Sequence, residues 1–380
     1  MNFHLSPEQQ AVRETAQSLA AEAAAEAAHL DRQSRFPDPI LRRFAAAGMF
    51  GLALPAEYGG RGLDYVSYCL AQMELAQACP TSALLLHLNH SLVGATLAHF
   101  GTPAQKERYL PQVAQGRTIA CFALTEPEAG SDPGGLRTVA RREGDHYLLS
   151  GTKNFVTAGD RATFGIIMAL TAPEKGPKGI SAFLVDLEAT PGLTRGAPEA
   201  KMSLKGASSV TLEFTDAPVP VDSLLGAPEQ GLKIALAALD GARVGAAAQA
   251  VGLGRAALQH ALAYARRRHQ FGQPLAQLQA IQWKLADMAT EVEAAALLTL
   301  KAAWLRDQGR PYGTAAAMAK KYATDAALGA SLEAVQIFGG YGLLEEHPVE
   351  RLLRDAKAGQ IYEGTNEIMR LIIARELLKT

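Results

Sequence analysis

Ser209-Val210-Thr211-Leu212-Glu213-Phe214 is the stretch on which the fold turns. Val210, Leu212 and Phe214 alternate with Thr211 and Glu213, the two-residue period of a strand that buries one face. Working outward, short β-type runs also occupy residues 118–124, 146–150, 164–170 and 180–187. Between them Pro and Gly mark turns, at Pro127, Pro133, Gly134-Gly135, Pro173, Pro177 and Pro191-Gly192. Such a region suits a small antiparallel barrel or sandwich, expected over residues 119–228.

Helical signals lie on either side. Ser6-Pro7-Glu8-Gln9 is a capping box, with Ser6 as N-cap and Gln9 reaching back, and the Ala-rich run after it continues to Leu30. Asp38-Pro39 opens a second helix that Gly48 stops. Residues 63–79 and 82–100 read as two more, divided by Pro80-Thr81, and Gly101-Thr102-Pro103 starts a short one that Pro111 ends. Beyond Gly231, long helices are expected over 232–269, 277–308 and 314–338, broken by Phe271-Gly272-Gln273-Pro274, Gly309-Arg310-Pro311 and Gly339-Gly340. Their small residues allow the close contact of a four-helix bundle. The expected class is α+β: an all-α N-terminal domain (1–118), a central β domain (119–228) and a C-terminal α-helical bundle (229–380).

Composition narrows the function. The 380 residues carry 37 Lys+Arg against 38 Asp+Glu, a formal net charge of −1, which argues against a general nucleic-acid binder. Cys69, Cys79 and Cys121 form no CxxC, so neither a disulfide framework nor a zinc site is expected, and the compartment reads as reducing. Residues 1–5 lack the basic and apolar regions of a signal peptide, and no apolar run reaches the roughly 18 residues of a spanning helix. A cytoplasmic protein without membrane contact is the expectation.

Some motifs read as structure. Gly252-Leu253-Gly254-Arg255-Ala256-Ala257 has the form GxGxxA, but it sits inside a helical run with no strand before it and reads as helix packing. His87 and His90 have no third ligand at a useful spacing and read as solvated or pocket-lining rather than metal-binding. Arg266-Arg267-Arg268-His269 reads as a solvated helix end, with phosphate contact as the alternative.

Two loops carry more chemistry. Ala123-Leu124-Thr125-Glu126-Pro127-Glu128-Ala129-Gly130-Ser131-Asp132 offers backbone N–H groups, hydroxyls and a glycine to a flat polar ring or an anion; a plain turn is the competing reading. In Ile361-Tyr362-Glu363-Gly364-Thr365-Asn366-Glu367, Thr365 is the N-cap of a last helix, and Glu363 stands beside Ile361 and Tyr362. A carboxylate among apolar groups suits a general base acting on a weak carbon acid; a helix-dipole partner is the competing reading.

Together these pieces resemble the acyl-CoA dehydrogenase family. The matching stretches run in order along nearly the whole chain: residues 124–132, Gly151-Thr152-Lys153-Asn154-Phe155-Val156-Thr157, the segment YARRRHQFGQP from Tyr264 to Pro274, and QAIQWKLADM from Gln279 to Met288. Gln336-Ile337-Phe338-Gly339-Gly340-Tyr341-Gly342 follows, then residues 348–375 with IYEGTNEI. The resemblance implies FAD held between the β domain and the C-terminal bundle. It implies that a glutamate removes the pro-R α-proton of an acyl-CoA thioester while the β-hydride passes to flavin N5, giving a trans-2-enoyl-CoA. Electrons would then go singly to electron-transfer flavoprotein.

Carried over by position, Glu363 is the implied base, and its backbone N–H, with a ribityl hydroxyl, would meet the thioester oxygen. Gly364 and Tyr362 would line the thioester site, and Asp240 with Arg243 would contact CoA. Phe122, Leu124, Thr125, Gly130 and Ser131 would border the flavin on one side, with Ser131 also reaching CoA. Phe155, Val156 and Thr157 would flank the other side. Arg268, Phe271 and Gln279, then Gln336, Ile337, Gly339 and Gly340, would hold the FAD diphosphate and adenosine, some from a neighbouring subunit. Thr365, Asn366 and Glu367 would also touch FAD. Shared FAD sites imply a homotetramer, a dimer of dimers. Ala242 stands where some branched-chain and long-chain members carry their base, which leaves Glu363 and favours a straight-chain, short- or medium-chain enzyme. Phe155 replaces a common tryptophan, and Lys205-Gly206 a common Arg-Gly. An acyl-CoA oxidase and a non-catalytic scaffold are the alternatives.

Overall fold

The computed structural model describes residues 4–379; residues 1–3, part of the stretch read for a leader, lie outside the described residues, as does residue 380. Helix α1 (Pro7–Arg32) begins at the expected capping box: the Ser6 hydroxyl accepts from Gln9 N–H, and the Gln9 side chain accepts from Ser6 N–H. Helices α2 (Asp38–Ala46) and α3 (Tyr65–Ala78) follow. The next helical length departs from expectation in two ways. Pro80 opens α4 (Pro80–His87) instead of separating helices, because proline suits the first helical turn. The path then widens into a π-helical segment (Leu88–Gly94) before α5 (Ala95–Phe100). Helix α6 (Pro103–Ala114) also runs past Pro111, which gives up only its own ladder bond to Glu107 while its carbonyl accepts from Gln115 N–H (3.2 Å).

The β region contains β1 (Cys121–Ala123), β2 (Val139–Glu143), β3 (His146–Thr157), β4 (Phe164–Leu170), β5 (Ile180–Asp186), β6 (Leu193–Arg195), β7 (Ser209–Pro220) and β8 (Leu224–Leu225). They form one sheet in the order β6-β7-β3-β2-β4-β5-β8, with β1 on β4. The sheet is mixed, a correction to the expected antiparallel plan. β1 pairs with β4 in parallel, and β2 meets β4 in parallel through Val139 and Leu170 alone. These strands are not hairpin neighbours, so nothing forces them to run opposite. Val210, Leu212 and Phe214 of β7 face inward as their period predicts, packing with Ile167 and Phe183. The other side of β4, Ile166 and Met168, packs on Leu97, Leu110 and Ile234 from the helices, so both its faces are buried.

Three long helices return: α7 (Gly231–Arg267), α8 (Gln279–Asp307) and α9 (Gly313–Phe338). Two short ones, α10 (Pro348–Gly359) and α11 (Asn366–Leu377), pack on α9 in place of a fourth long helix. Gly252 and Gly254 lie mid-helix in α7. A Cβ on Gly252 would stand 2.4 Å from the Met73 carbonyl of α3, so the GxGxxA segment serves close packing. Helix α7 is long and apolar enough to cross a membrane by length and composition, contrary to the expectation that no segment is. Its most apolar window is 78% buried, and it forms the core of this bundle.

Candidate active site

Glu363 lies on the turn between α10 and α11. It has φ 58° and Gly364 has φ 89°, so consecutive left-handed residues swing the chain around and send the carboxylate inward, where the side chain is 7% exposed. The turn is tied down from α7 and α9. Arg243 donates Nε–H to the Glu363 carbonyl (3.4 Å) and Nη1–H to Asp240 (2.7 Å). Lys320 Nζ donates to the Gly364 carbonyl (2.7 Å) and to Asn366 Oδ1 (2.9 Å). Tyr362 O–H donates to Gln249 (2.9 Å), and the Thr365 hydroxyl caps α11 as expected, accepting from Ile368 N–H. Burial pushes the Lys320 ammonium down to about 8, against the opposing pull of Glu363. It raises the Asp240 carboxyl too, against the Arg243 charge.

The carboxylate itself meets a histidine that the sequence reads as solvated or pocket-lining. His87, the last residue of α4, is wholly buried, and its Nε2 lies 3.3 Å from Glu363 Oε1. Glu363 Oε2 is buried with no hydrogen-bond partner among the described residues. His90 is wholly buried as well, and accepts from Ala53 N–H through Nε2 (3.0 Å). The apolar run Leu84-Leu85-Leu86 ahead of His87 was the available sign of its burial. In the π-helical segment just beyond, Asn89 accepts from Ala120 N–H (2.9 Å), which ties the floor under Glu363 to the start of the β region.

On the β side, the 122–131 loop and the end of β3 are brought together. Asn154 N–H donates to the Thr125 carbonyl (2.8 Å). Beneath it, Lys153 Nζ donates to Glu126 (2.7 Å) and, more weakly, to the Leu124 carbonyl (3.4 Å), and Glu126 also accepts from the N–H groups of Arg137 and Thr138. Burial drives the Lys153 ammonium down to about 8. It also opposes ionisation of Glu126, but Lys153 and the hydrogen bonds outweigh it and hold that carboxyl low. A register shift in β3 between Lys153 and Val156 separates the next residues: Phe155 stands 64% exposed at φ 53°, whereas Val156 points into the β core. Phe122 and Thr125 are half-buried, Leu124 is buried, Gly130 and Ser131 are exposed, and a Cβ on Gly130 would meet nothing within 4 Å.

The remaining predicted residues gather elsewhere. Arg268, Phe271 and Gln279 lie where α7 passes to α8, and Gln336, Gly339 and Gly340 where α9 ends. Tyr264 stacks on Phe338 (4.0 Å), and the Arg268 guanidinium lies 5.4 Å over Tyr341, so these segments share one end of the bundle. Gln336 is sixteen positions beyond Lys320 along α9, about 24 Å at 1.5 Å per residue. This group is therefore remote from Glu363 within one chain. Ile337 is buried, and the Asn366 side chain is engaged by Lys320, Thr324 and Asp325, so these two side chains and that of Val156 are taken up within the chain. Glu367 is exposed.

Models of the acyl-CoA dehydrogenase N-terminal, middle and C-terminal domains match residues 6–117, 121–217 and 229–378. The chain belongs to the acyl-CoA dehydrogenase family. It is similar to the short-chain specific acyl-CoA dehydrogenase of Clostridium acetobutylicum, 41% identical over 380 residues and the full length of both. Among solved structures, butyryl-CoA dehydrogenase from Megasphaera elsdenii superposes with a TM-score of 0.97 at 41% identity over all of both chains. A chain solved in work on the electron transferring flavoprotein of Acidaminococcus fermentans gives 0.98, also at 41% identity and full coverage of both. As a family member the protein is an FAD-dependent oxidoreductase. Its residues fit that cofactor: exposed Phe155 follows Asn154, whose N–H pins the Thr125 backbone, and the space before Gly130 is open.

Proposed function

We propose that this acyl-CoA dehydrogenase acts on short straight-chain acyl-CoA thioesters and that Glu363 is its base. The observation that carries the reading is the buried Glu363 carboxylate, turned inward on a tied-down loop with Oε2 unpartnered. An α-proton beside a thioester is a poor acid, so the base must be held at its target and the enolate oxygen must meet donors. Arg243 and Lys320 fix the two carbonyls that follow the base, those of Glu363 and Gly364, and the Glu363 N–H would bond the thioester oxygen. Asp240 and Arg243, with Tyr362, Gly364 and Ser131, line the path for the thioester and CoA. When bound, FAD supplies the acceptor for the hydride leaving the β-carbon. Phe122, Leu124, Thr125, Gly130 and Ser131 would hold the flavin on one side and Phe155, Val156 and Thr157 on the other, with Thr365, Asn366 and Glu367 beside them. Loss of the α-proton and the β-hydride leaves a trans-2-enoyl-CoA.

The likeness to relatives named short-chain specific and butyryl-CoA dehydrogenase supports the chain length. The likeness to a chain solved with an electron transferring flavoprotein supports electron-transfer flavoprotein as acceptor. The distance between the two groups of flavin residues supports a homotetramer in which one subunit's Arg268, Phe271, Gln279, Gln336, Gly339 and Gly340 complete a neighbour's FAD site. Free, buried Cys69, Cys79 and Cys121 support a reducing, cytoplasmic setting.

Anaerobic mixing with butyryl-CoA is expected to bleach the flavin band. Glu363→Gln is expected to retain FAD and lose about three or more decades of that rate, the upper range for a positioned general base. A variant that bleaches at the wild-type rate would remove Glu363 from the chemistry.

A further inference from the structure

We propose that His87 is a positioning residue for the base: it grips Oε1 of Glu363 and leaves Oε2 to take the substrate proton. This rests on Glu363 being the base. The imidazole spans the two groups it serves, with Nε2 3.3 Å from Glu363 Oε1 and Nδ1 3.1 Å from the Tyr68 hydroxyl. The direction of the chain follows from its far end. With Tyr65 O–H donating to Ser91 Oγ (2.8 Å), the single Ser91 proton goes to the Tyr68 oxygen (3.1 Å), and the Tyr68 proton is then free for His87 Nδ1. With Nδ1 accepting, the ring is the neutral tautomer that carries its proton on Nε2, and that proton points at the carboxylate. Parallel stacking with His90 at 4.0 Å holds the Tyr68 ring in place.

The surroundings are shaped for this arrangement. A Cβ on Gly245 of α7 would stand 2.3 Å from His87 Nδ1 and 2.7 Å from the Tyr68 oxygen, so only glycine there admits the pair. Glu363 and His87 lie 276 positions apart and come from opposite ends of the chain, and neither side chain is solvated. A carboxylate on a turn is free to rotate about its last bond. One fixed donor on Oε1 stops that rotation and presents Oε2 to the α-carbon, and misplacement of such a group costs up to about 10²-fold.

The test separates deprotonation from hydride transfer. Methylthioacetyl-CoA has sulfur at its β position and no hydride to give, so exchange of its α-protons with D2O reads the base alone. With the FAD-loaded enzyme, His87→Ala is expected to slow both this exchange and butyryl-CoA turnover about 10- to 100-fold, with KM changed less than about threefold. His87→Gln, which places an N–H near the same point, is expected to recover exchange to within about fivefold of wild type. Wild-type exchange in His87→Ala would overturn the proposal. So would equal loss in both variants, or a gain on longer acyl chains with butyryl-CoA turnover intact, which would make His87 a space-filling wall. If Glu363→Gln still exchanges, it is the assignment of the base that fails.

Discussion

The turn that carries Glu363 and the far end of the same bundle differ in how much of their own chain surrounds them. Around Glu363, Arg243, Lys320 and His87 each make a contact from a different helix, and the carboxylate is enclosed before any ligand arrives. At the other end Phe271 is 90% exposed, Gln336, Gly339 and Gly340 are exposed, and Arg268 has an aromatic ring beneath it. Proton abstraction needs a base fixed to within a fraction of an ångström, which only a rigid frame within one chain provides before assembly. Grip on the distant part of a large cofactor tolerates a surface completed later. The contrast divides the molecule into an enclosed turn and an open end; on the proposed reading the first reacts and the second is covered by a neighbouring subunit.

The sharpest way to break this division is Lys320→Met. It removes the side-chain donor to the Gly364 carbonyl, an unmet acceptor worth about 1–3 kcal/mol, and one of the two donors to Asn366 Oδ1. Butyryl-CoA reduction of the flavin is expected to fall about 10²-fold in single-turnover mixing, with FAD still bound. Unchanged rates would mean that the turn is not held by its own chain.

A smaller effect is expected on the β side. Lys153→Met leaves the Glu126 carboxylate buried without its counter-ion and loosens the Leu124–Thr125 backbone. FAD affinity, read by fluorescence titration, is expected to fall about tenfold, and Lys153→Met with Glu126→Gln to recover part of it. The pH dependence has a fixed sign. The folded Lys153 titrates near 8 against 10.5 for the free side chain, so between these values the unfolded chain binds more protons. The lysine's contribution to stability therefore rises as pH climbs from 8 to 10.5 and is level below 8, where both states hold the proton. The urea midpoint of wild type minus that of Lys153→Met is expected to rise over that window; a flat difference would place the ammonium in contact with solvent.

What the sequence made legible was local. Ser6 and Thr365 cap their helices because a cap is decided within a few residues, and the β7 alternation needs only its own neighbours. Glu363 could be singled out because its turn and cap surround it in sequence. His87 could not, because its meaning lies in a partner 276 positions away. The Lys153–Glu126 pair, the parallel seat of β1 on β4 and the π-helical segment after His87 are likewise products of packing between distant segments. The GxGxxA stretch shows the reverse: a local pattern complete in itself, whose sense is set by the Met73 carbonyl of another helix.

Phe271 tests the covered end with the smallest expected effect. It holds φ 53° ahead of Gly272 at φ 75°, a conformation that costs a non-glycine residue roughly 1–2 kcal/mol, and its ring is almost entirely in solvent. Folding of the single chain recovers little from that ring; in the proposed tetramer its benefit would come from the neighbouring subunit that covers it. Phe271→Asn keeps a residue that tolerates the left-handed region while removing the aromatic face. The urea midpoint at low protein concentration, where the chain is least associated, is expected to stay the same or rise slightly. FAD affinity is expected to weaken about fivefold and the sedimentation coefficient to move toward smaller species, since an aromatic anchor in an interface contributes about a kcal/mol. If affinity and size both stay at their wild-type values, this end of the bundle is a free surface, and the flavin is held by the elements around Glu363 and the β region alone.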